Sequence, residues 1–165
     1  MSQVKWDDSK LKAEVREFTM QRLAQAAETV VTICKRSMGS GQSGHRPYKK
    51  TKKEILHWSS VPPEPPHVDT GRLRASITWA ISEGSHQGTA LINPSTDPDN
   101  PSQESDAVQK PAKNANAVIA IVGTNVKYAR ALEFGFEPRK LAARPYLRPA
   151  LEQAIAKIKW LFYRE

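Results

Sequence analysis

The chain has 165 residues, of which 39% are hydrophobic and 25% charged, and its formal net charge is +8. This length supports one domain with a hydrophobic core, so we expect a single domain over residues 1–165. No apolar run approaches the roughly 20 residues that a membrane-spanning helix needs, which argues against a membrane protein. The N-terminus lacks an apolar signal core, so we expect the chain to stay in the compartment where it is made.

The positive charge leaves two explanations open. It can serve an anionic partner such as nucleic acid, or it can form a basic surface that is solvated or meets acidic neighbours in an assembly. The single cysteine, Cys34, excludes an intrachain disulfide and offers no zinc-ligand spacing. Its position in a predicted helix indicates a plain buried thiol.

The first predicted element is a long helix over residues 8–38, which Asp8 or Ser9 can cap. Apolar side chains recur along it at three- and four-residue steps, at Leu11, Val15, Phe18, Ala26, Val30 and Ile33. Only Arg22 interrupts this stripe. The helix can cover the core of its own subunit or pack on a neighbouring subunit. The two interpretations can hold along different parts of its length.

Residues 39–68 are predicted to form a long loop or extended arm. They begin with a glycine- and serine-rich linker and end near two proline pairs that favour an extended path. A basic run lies between, with Arg46, Lys49, Lys50, Lys52 and Lys53. These cations are candidate contacts for nucleic-acid phosphates, and the alternative interpretation is a solvated charge run.

A short helix and a strand are predicted after the arm. Asp69 or Thr70 can cap the helix. The pattern then changes to a two-residue period, in which Ile77, Trp79 and Ile81 alternate with small or polar residues. This alternation is typical of a half-buried strand.

Two further strands are predicted, with a polar loop between them. Residues 89–93 fit the return strand of a hairpin. Residues 94–116 form a proline-rich polar loop that can be disordered, and its acids lack the spacing of a calcium site. Val118–Val122 is apolar on both faces, which favours a central strand covered on both sides. We therefore expect no metal and no other cofactor.

The segment Gly123–Gly135 follows the last strand and is predicted to form a turn and a short helix that ends at its final glycine. Glu133 lies in the last turn of this helix, where the helix dipole disfavours an anion. We therefore expect Glu133 to have a cationic partner. The candidates are Arg74, Arg144 and Arg148.

A final helix is predicted to start at Pro149, because proline suits the first position of a helix. Its apolar stripe contains Leu151, Ala154, Ile155, Ile158, Leu161 and Phe162. The helix is expected to run nearly to the end of the chain.

Three segments carry a resemblance to a known family: Asp69–Ile77, Gly123–Gly135 and Arg144–Leu151. Together and in this order they resemble the small tail-completion, or head–tail joining, proteins of long-tailed bacteriophages, which are also labelled minor tail or neck proteins. Residues 39–68 and 94–116 are longer than the usual pattern of that family. Phe136 stands where the family commonly has a small residue.

The resemblance implies a non-enzymatic virion protein with an α+β fold, in which the first and last helices pack on a small antiparallel sheet. It implies a ring of identical subunits, expected to be a hexamer, at the neck of the virion. The partners would be tail terminator and tail tube proteins on one side and head connector or stopper proteins on the other. The chain would be in the host cytoplasm during assembly. In this interpretation Arg74, Glu133, Arg144 and Arg148 hold the structure together within one subunit or across two.

Two other classes of function compete with this interpretation. A basic DNA-binding module would use the cations of residues 46–53, and DNA in the channel of a ring would also meet a basic surface. A hydrolase or nuclease is disfavoured, because no acidic cluster lies near a histidine in a predicted folded segment.

Overall fold

The computed structural model describes residues 8–39, 47–49, 56–58, 60–82 and 117–163, and for 47–49 and 56–58 it describes the backbone alone. The predicted return strand at 89–93 and the predicted loop at 94–116 lie outside the described residues. The single domain over residues 1–165 therefore stays a prediction.

Four helices and four strands are named in these ranges. In chain order they are α1 (Ser9–Ser37), β1 (Pro47–Lys49), β2 (Leu56–Trp58), α2 (Arg72–Ser76), β3 (Thr78–Ile81), β4 (Ala120–Gly123), α3 (Ala129–Phe134) and α4 (Leu147–Tyr163). A 3-10 helix of one turn, Glu137–Arg139, follows α3. None of the helices in the described part of the chain is long and apolar enough to cross a membrane.

The α+β fold is confirmed. Strands β3 and β4 pair antiparallel, with Thr78 opposite Gly123 and Ile81 opposite Ala120. Helix α1 packs against α4 and against both strands of this sheet. Small side chains at Ala150 and Ala154 are buried on α4, which lets the two helices lie close together.

Helix α1 is divided into a buried half and an exposed half. Its buried residues begin at Met20 and lie mostly after Ala26, whereas Leu11, Val15 and Phe18 are 56%, 57% and 55% exposed. The Arg22 guanidinium donates a 2.8 Å hydrogen bond to the Leu161 carbonyl near the end of α4. The residues of α1 that precede this contact extend about 20 Å past it. The core-covering interpretation therefore holds only for the second half of the helix.

The burial of the two sheet strands differs from expectation. The prediction of a half-buried β3 is wrong, because every residue of Thr78–Ile81 is buried. Neighbouring side chains on a strand point to opposite faces, so both faces of β3 are covered. The prediction that the last strand, Val118–Val122, is covered on both sides is also wrong. Ile119 and Ile121 are each 38% exposed, so one face of this strand is less buried than predicted.

The arm at 39–68 contains regular structure and returns to its starting point. Strands β1 and β2 pair antiparallel, with Tyr48 opposite His57. The Val68 amide donates a 2.9 Å hydrogen bond to the Gly39 carbonyl, which ties the two ends of the segment together.

Candidate functional site

The turn after β4 is joined to α2 by two hydroxyl groups. The Thr124 Oγ1 accepts a 3.2 Å hydrogen bond from the Val126 amide and shares a 2.7 Å hydrogen bond with the Ser76 Oγ. Ser76 is fully buried, and its hydroxyl also bonds the Leu73 carbonyl at 2.8 Å. Thr124 therefore stabilises the turn that precedes α3. No periodic pattern in the sequence marks Ser76 as part of this contact.

Glu133 lies on α3 with its side chain buried at the start of α4. The Glu133 Oε2 accepts hydrogen bonds from the amides of Tyr146, at 2.8 Å, and Leu147, at 3.0 Å. The Glu133 Oε1 accepts a third, at 3.0 Å, from the amide of Arg148. Glu133 is only 8% exposed, so these three bonds lie away from bulk water. We call this arrangement the Glu133 cap.

The Glu133 cap accounts for every unpaired donor at the start of α4. The first four amides of an α-helix have no carbonyl partner within the helix. Three of them, from Tyr146 to Arg148, donate to Glu133, and the fourth position is Pro149, which has no amide hydrogen. Helix α4 therefore begins at Leu147, two residues before the predicted start at Pro149.

The expectation that Glu133 has a cationic side chain as its partner is wrong, because its partners are main-chain amides. Glu133 sits at the unfavourable end of its own short helix, but it also sits at the favourable, positive end of α4. The charge is stabilised by main-chain amides. Across the described ranges, no arginine or lysine side chain forms a salt bridge with it.

The side chains of the three candidate arginines form no salt bridge with Glu133 within the described residues. The Arg148 guanidinium pairs with Glu152 at 3.5 Å on the exposed side of α4. The Arg144 amide donates to the Leu132 carbonyl at 2.7 Å, and its buried Nε has no hydrogen-bond partner in the described part of the chain. Arg74 is exposed on α2. Their contribution to a subunit interface stays a prediction.

The basic run predicted to contact nucleic acid is described at one position only. Lys49 is the last residue of β1, where it pairs with Leu56. The other members lie outside the described residues, namely Arg46, Lys50, Lys52 and Lys53. The role of this run stays a prediction.

Two titratable groups are buried behind the Glu133 cap. Cys34 is 0% exposed and Tyr146 is 1% exposed, and the Tyr146 hydroxyl lies 3.5 Å from the Ala129 carbonyl. Burial, followed by the negative charge of Glu133, raises the pKa of the Cys34 thiol from 9.0 to about 12. The same two causes raise the pKa of the Tyr146 phenol above its ordinary value of 10.0. No apolar period in the sequence marks Tyr146, which directly follows Pro145.

These raised pKa values predict a loss of stability at alkaline pH. Above pH 9 the unfolded chain releases its thiol proton and the folded chain keeps it, so unfolding is favoured as pH rises from 9 to 12. We expect the free energy of unfolding to fall by on the order of 1 kcal/mol per pH unit for the thiol in this window. Urea denaturation between pH 8 and pH 11 would measure this slope. The variant Cys34→Ala should be less stable but should show a shallower slope, and an unchanged slope would contradict the assignment to Cys34.

The hydroxyl pair that joins α2 to the turn after β4 is expected to contribute a measurable coupling. Ser76→Ala should lower the free energy of unfolding by about 1–2 kcal/mol, because a buried hydrogen bond is lost. In a double-mutant cycle with Thr124→Val, the two losses should sum to more than the loss in the double variant by about 1 kcal/mol. Additive losses would show that the two hydroxyls act independently.

An open groove of about 570 Å³ lies beside the Glu133 cap. Strand β4, helix α3 and the start of α4 form its walls, and α1 contributes Val30. Its lining is largely apolar, through residues such as Val122, Leu147 and Leu151, with the cations of Arg130 and Arg148 added. We call it the cap groove. The lining combines apolar side chains with two cationic ones, which suits an apolar surface that carries acidic groups.

Within the described residues, no group of three or more His, Cys, Asp or Glu side chains is placed to hold a metal ion. Comparison of the chain with protein-family models, with curated proteins and with solved structures gave no match.

Proposed function

We propose that the chain is a non-enzymatic structural virion protein of a long-tailed phage, which forms a ring at the neck, completes the tail and joins it to the head connector. Its neighbours would be tail terminator and tail tube proteins on one side and connector or stopper proteins on the other. The proposal starts from the resemblance of three separate segments to the tail-completion family.

The observation that carries the proposal is that these three segments contact one another. Ser76, in the first segment, shares its hydrogen bond with Thr124 in the second. Glu133, in the second segment, accepts hydrogen bonds from the amides of Tyr146 and Leu147 in the third. The resemblance therefore concerns one structural unit, in which residues distant in the sequence meet.

A second observation supports an assembly role. Large apolar side chains are exposed at the far end of α1 and along α4, including Val15, Phe18, Leu151 and Trp160. Exposed apolar surface of this kind is typical of sites that become buried when a partner protein binds. A subunit of a larger particle has such partners.

Deleting the gene in the phage or prophage that encodes the chain tests the proposal. We expect tailless heads and headless tails to accumulate side by side in electron micrographs, and the wild-type gene supplied in trans should restore joined particles. A normal yield of infectious particles without the protein would contradict the proposed role.

The alternative of a DNA-binding module draws on the charge of +8 and on an arm that is tied at its base by Val68 and Gly39. Its test is the dependence of DNA affinity on salt concentration for the isolated protein. Tight binding at physiological salt that weakens several-fold for each doubling of salt would favour this alternative, because it measures released counterions. The comparison variant replaces Lys49, Lys50, Lys52 and Lys53 with glutamine and should then bind weakly.

A further inference from the structure

Two apolar surfaces in the described part of the chain are exposed and complementary. The first is the α1 stripe, formed by Leu11, Val15 and Phe18 on the exposed half of α1. The second is the cap groove. We propose that the α1 stripe of one copy binds in the cap groove of a second copy of the chain. This inference deepens the proposed ring function and rests on it, since it names the contact between neighbouring subunits.

The α1 stripe has the geometry of a helix that binds in a groove. Its three side chains are separated by four and three residues, so they lie on one face of the helix and span about 10 Å along it. Each is more than half exposed. Helix-in-groove recognition uses apolar anchors at this spacing.

The cap groove offers matching apolar surface. Val30 and Val122 line it from α1 and β4, and Leu147 and Leu151 line it from α4. Phe134, which also lines the groove, is 76% exposed, the kind of aromatic residue that anchors interfaces. The groove is open, so a helix can enter it from the side.

The charges at the two surfaces are opposite. Glu14 lies three residues after Leu11 and four before Phe18, so it shares the face of the α1 stripe. It is exposed and forms no ion pair within the described residues. Arg130 lines the cap groove, is also exposed and likewise lacks a carboxylate partner in the described part of the chain. A contact between the two copies brings Glu14 to Arg130, and such pairs set register and partner choice.

The positions of the two surfaces show that the α1 stripe binds the cap groove of a second copy and not the groove of its own chain. Arg22 contacts Leu161 at the C-terminal end of α4, and the α1 stripe lies beyond this contact. The cap groove lies at the opposite end of α4, near Leu147. Helix α4 has 17 residues and is therefore about 25 Å long. The stripe is thus out of reach of the groove in its own chain, and the contact is head to tail, which builds a closed ring or an open filament.

Charge reversal on the full-length chain tests the contact, with the mass in solution measured by sedimentation velocity. The wild-type protein should associate, and Glu14→Arg and Arg130→Glu should each weaken association by roughly tenfold or more. Lys127→Glu is the matched control for the second change, because Lys127 is exposed near α3 but does not line the groove. It should associate like the wild type.

Mixing the two defective variants provides the sharpest result. In the mixture, the reversed stripe of the Glu14→Arg variant meets the reversed groove of the Arg130→Glu variant. The unchanged stripe of the Arg130→Glu variant meets the unchanged groove of the Glu14→Arg variant. Alternating copies therefore have opposite charges at every contact. We expect the mixture, and the chain that carries both changes, to associate like the wild type. Val15→Asp should abolish association without lowering the thermal unfolding temperature, because Val15 is 57% exposed in the isolated chain.

Three results would overturn the inference. A wild-type chain that stays monomeric at all concentrations tested would do so, as would an oligomer that neither charge reversal weakens. An oligomer that Val15→Asp disrupts but Arg130→Glu leaves intact would show that α1 pairs with another α1 instead. The particle assay is independent: normal particles in the deletion strain, combined with restored association in the mixture, would reject the neck function and keep this contact.

Discussion

Replacing Glu133 with alanine is expected to lower the free energy of unfolding by about 3–5 kcal/mol, one of the largest effects of any single substitution in the chain. The change removes the acceptor of three main-chain hydrogen bonds at once, and the amides of Tyr146, Leu147 and Arg148 lose their partner in a buried place. For a chain of this size, such a loss corresponds to a fall in Tm of roughly 6–20 °C. Thermal and urea denaturation would measure it.

The more conservative change Glu133→Gln distinguishes the contribution of the hydrogen bonds to stability from the contribution of side-chain packing. Glutamine keeps the volume and one acceptor oxygen, but its amide nitrogen would face main-chain N–H groups that also donate. We expect a loss of about 2 kcal/mol. Hydrogen exchange should speed up at the amides of residues 146–148, which report directly on the start of α4.

Glu152→Gln is the matched control for both changes. It removes a negative charge from the second turn of α4, but its carboxylate is exposed and, among the described residues, pairs only with Arg148 at 3.5 Å. We expect an effect within about 0.5 kcal/mol. Equal effects at Glu133 and Glu152 would contradict the importance of the Glu133 cap.

Replacing Gly135 with alanine is expected to cost about 3 kcal/mol. Gly135 has φ of 80° and ψ of 170°, a backbone conformation that is essentially restricted to glycine. An added Cβ would lie 3.0 Å from the Leu141 carbonyl oxygen and 3.1 Å from the Ala143 amide nitrogen. Both neighbours are main-chain atoms of the loop that leads into α4, so the loop itself has to shift.

Gly71→Ala is the comparison for this prediction, because Gly71 also has a positive φ, 81°, with ψ of −6°. This is the ordinary left-handed region, and the nearest atom to an added Cβ is the Val68 Cγ1 at 3.9 Å. We expect a loss of about 1 kcal/mol, which reflects the backbone conformation alone. A larger loss at Gly71 than at Gly135, measured by urea denaturation, would show that crowding at the loop after α3 does not matter.

Features that depend on local chain chemistry were predictable. The long helix was expected over residues 8–38 and spans Ser9–Ser37, because an amphipathic period without proline specifies a helix by itself. The stop at Gly135 was also expected and occurs at a glycine with positive φ. These properties depend on residues within a few positions of one another.

Features that depend on contacts between distant segments were not predictable. The α4 start at Leu147 requires the carboxylate of Glu133, which is 13 to 15 residues away from the amides that it accepts from. The burial of β3 on both faces and the exposure of Ile121 on β4 likewise depend on which element covers each face. A period shows which side chains share a face, but it carries no information on what lies opposite.

The sequence by itself determined the existence of the helices, the stop of α3 at Gly135 and the α+β composition of this chain, because backbone propensity and apolar period act over short distances. The tertiary structure alone decided what Glu133 binds, where α4 begins and which half of α1 is left exposed. Each of these is set when segments far apart in the chain meet. A hydrogen-bond acceptor or an apolar face acquires its partner only at that point.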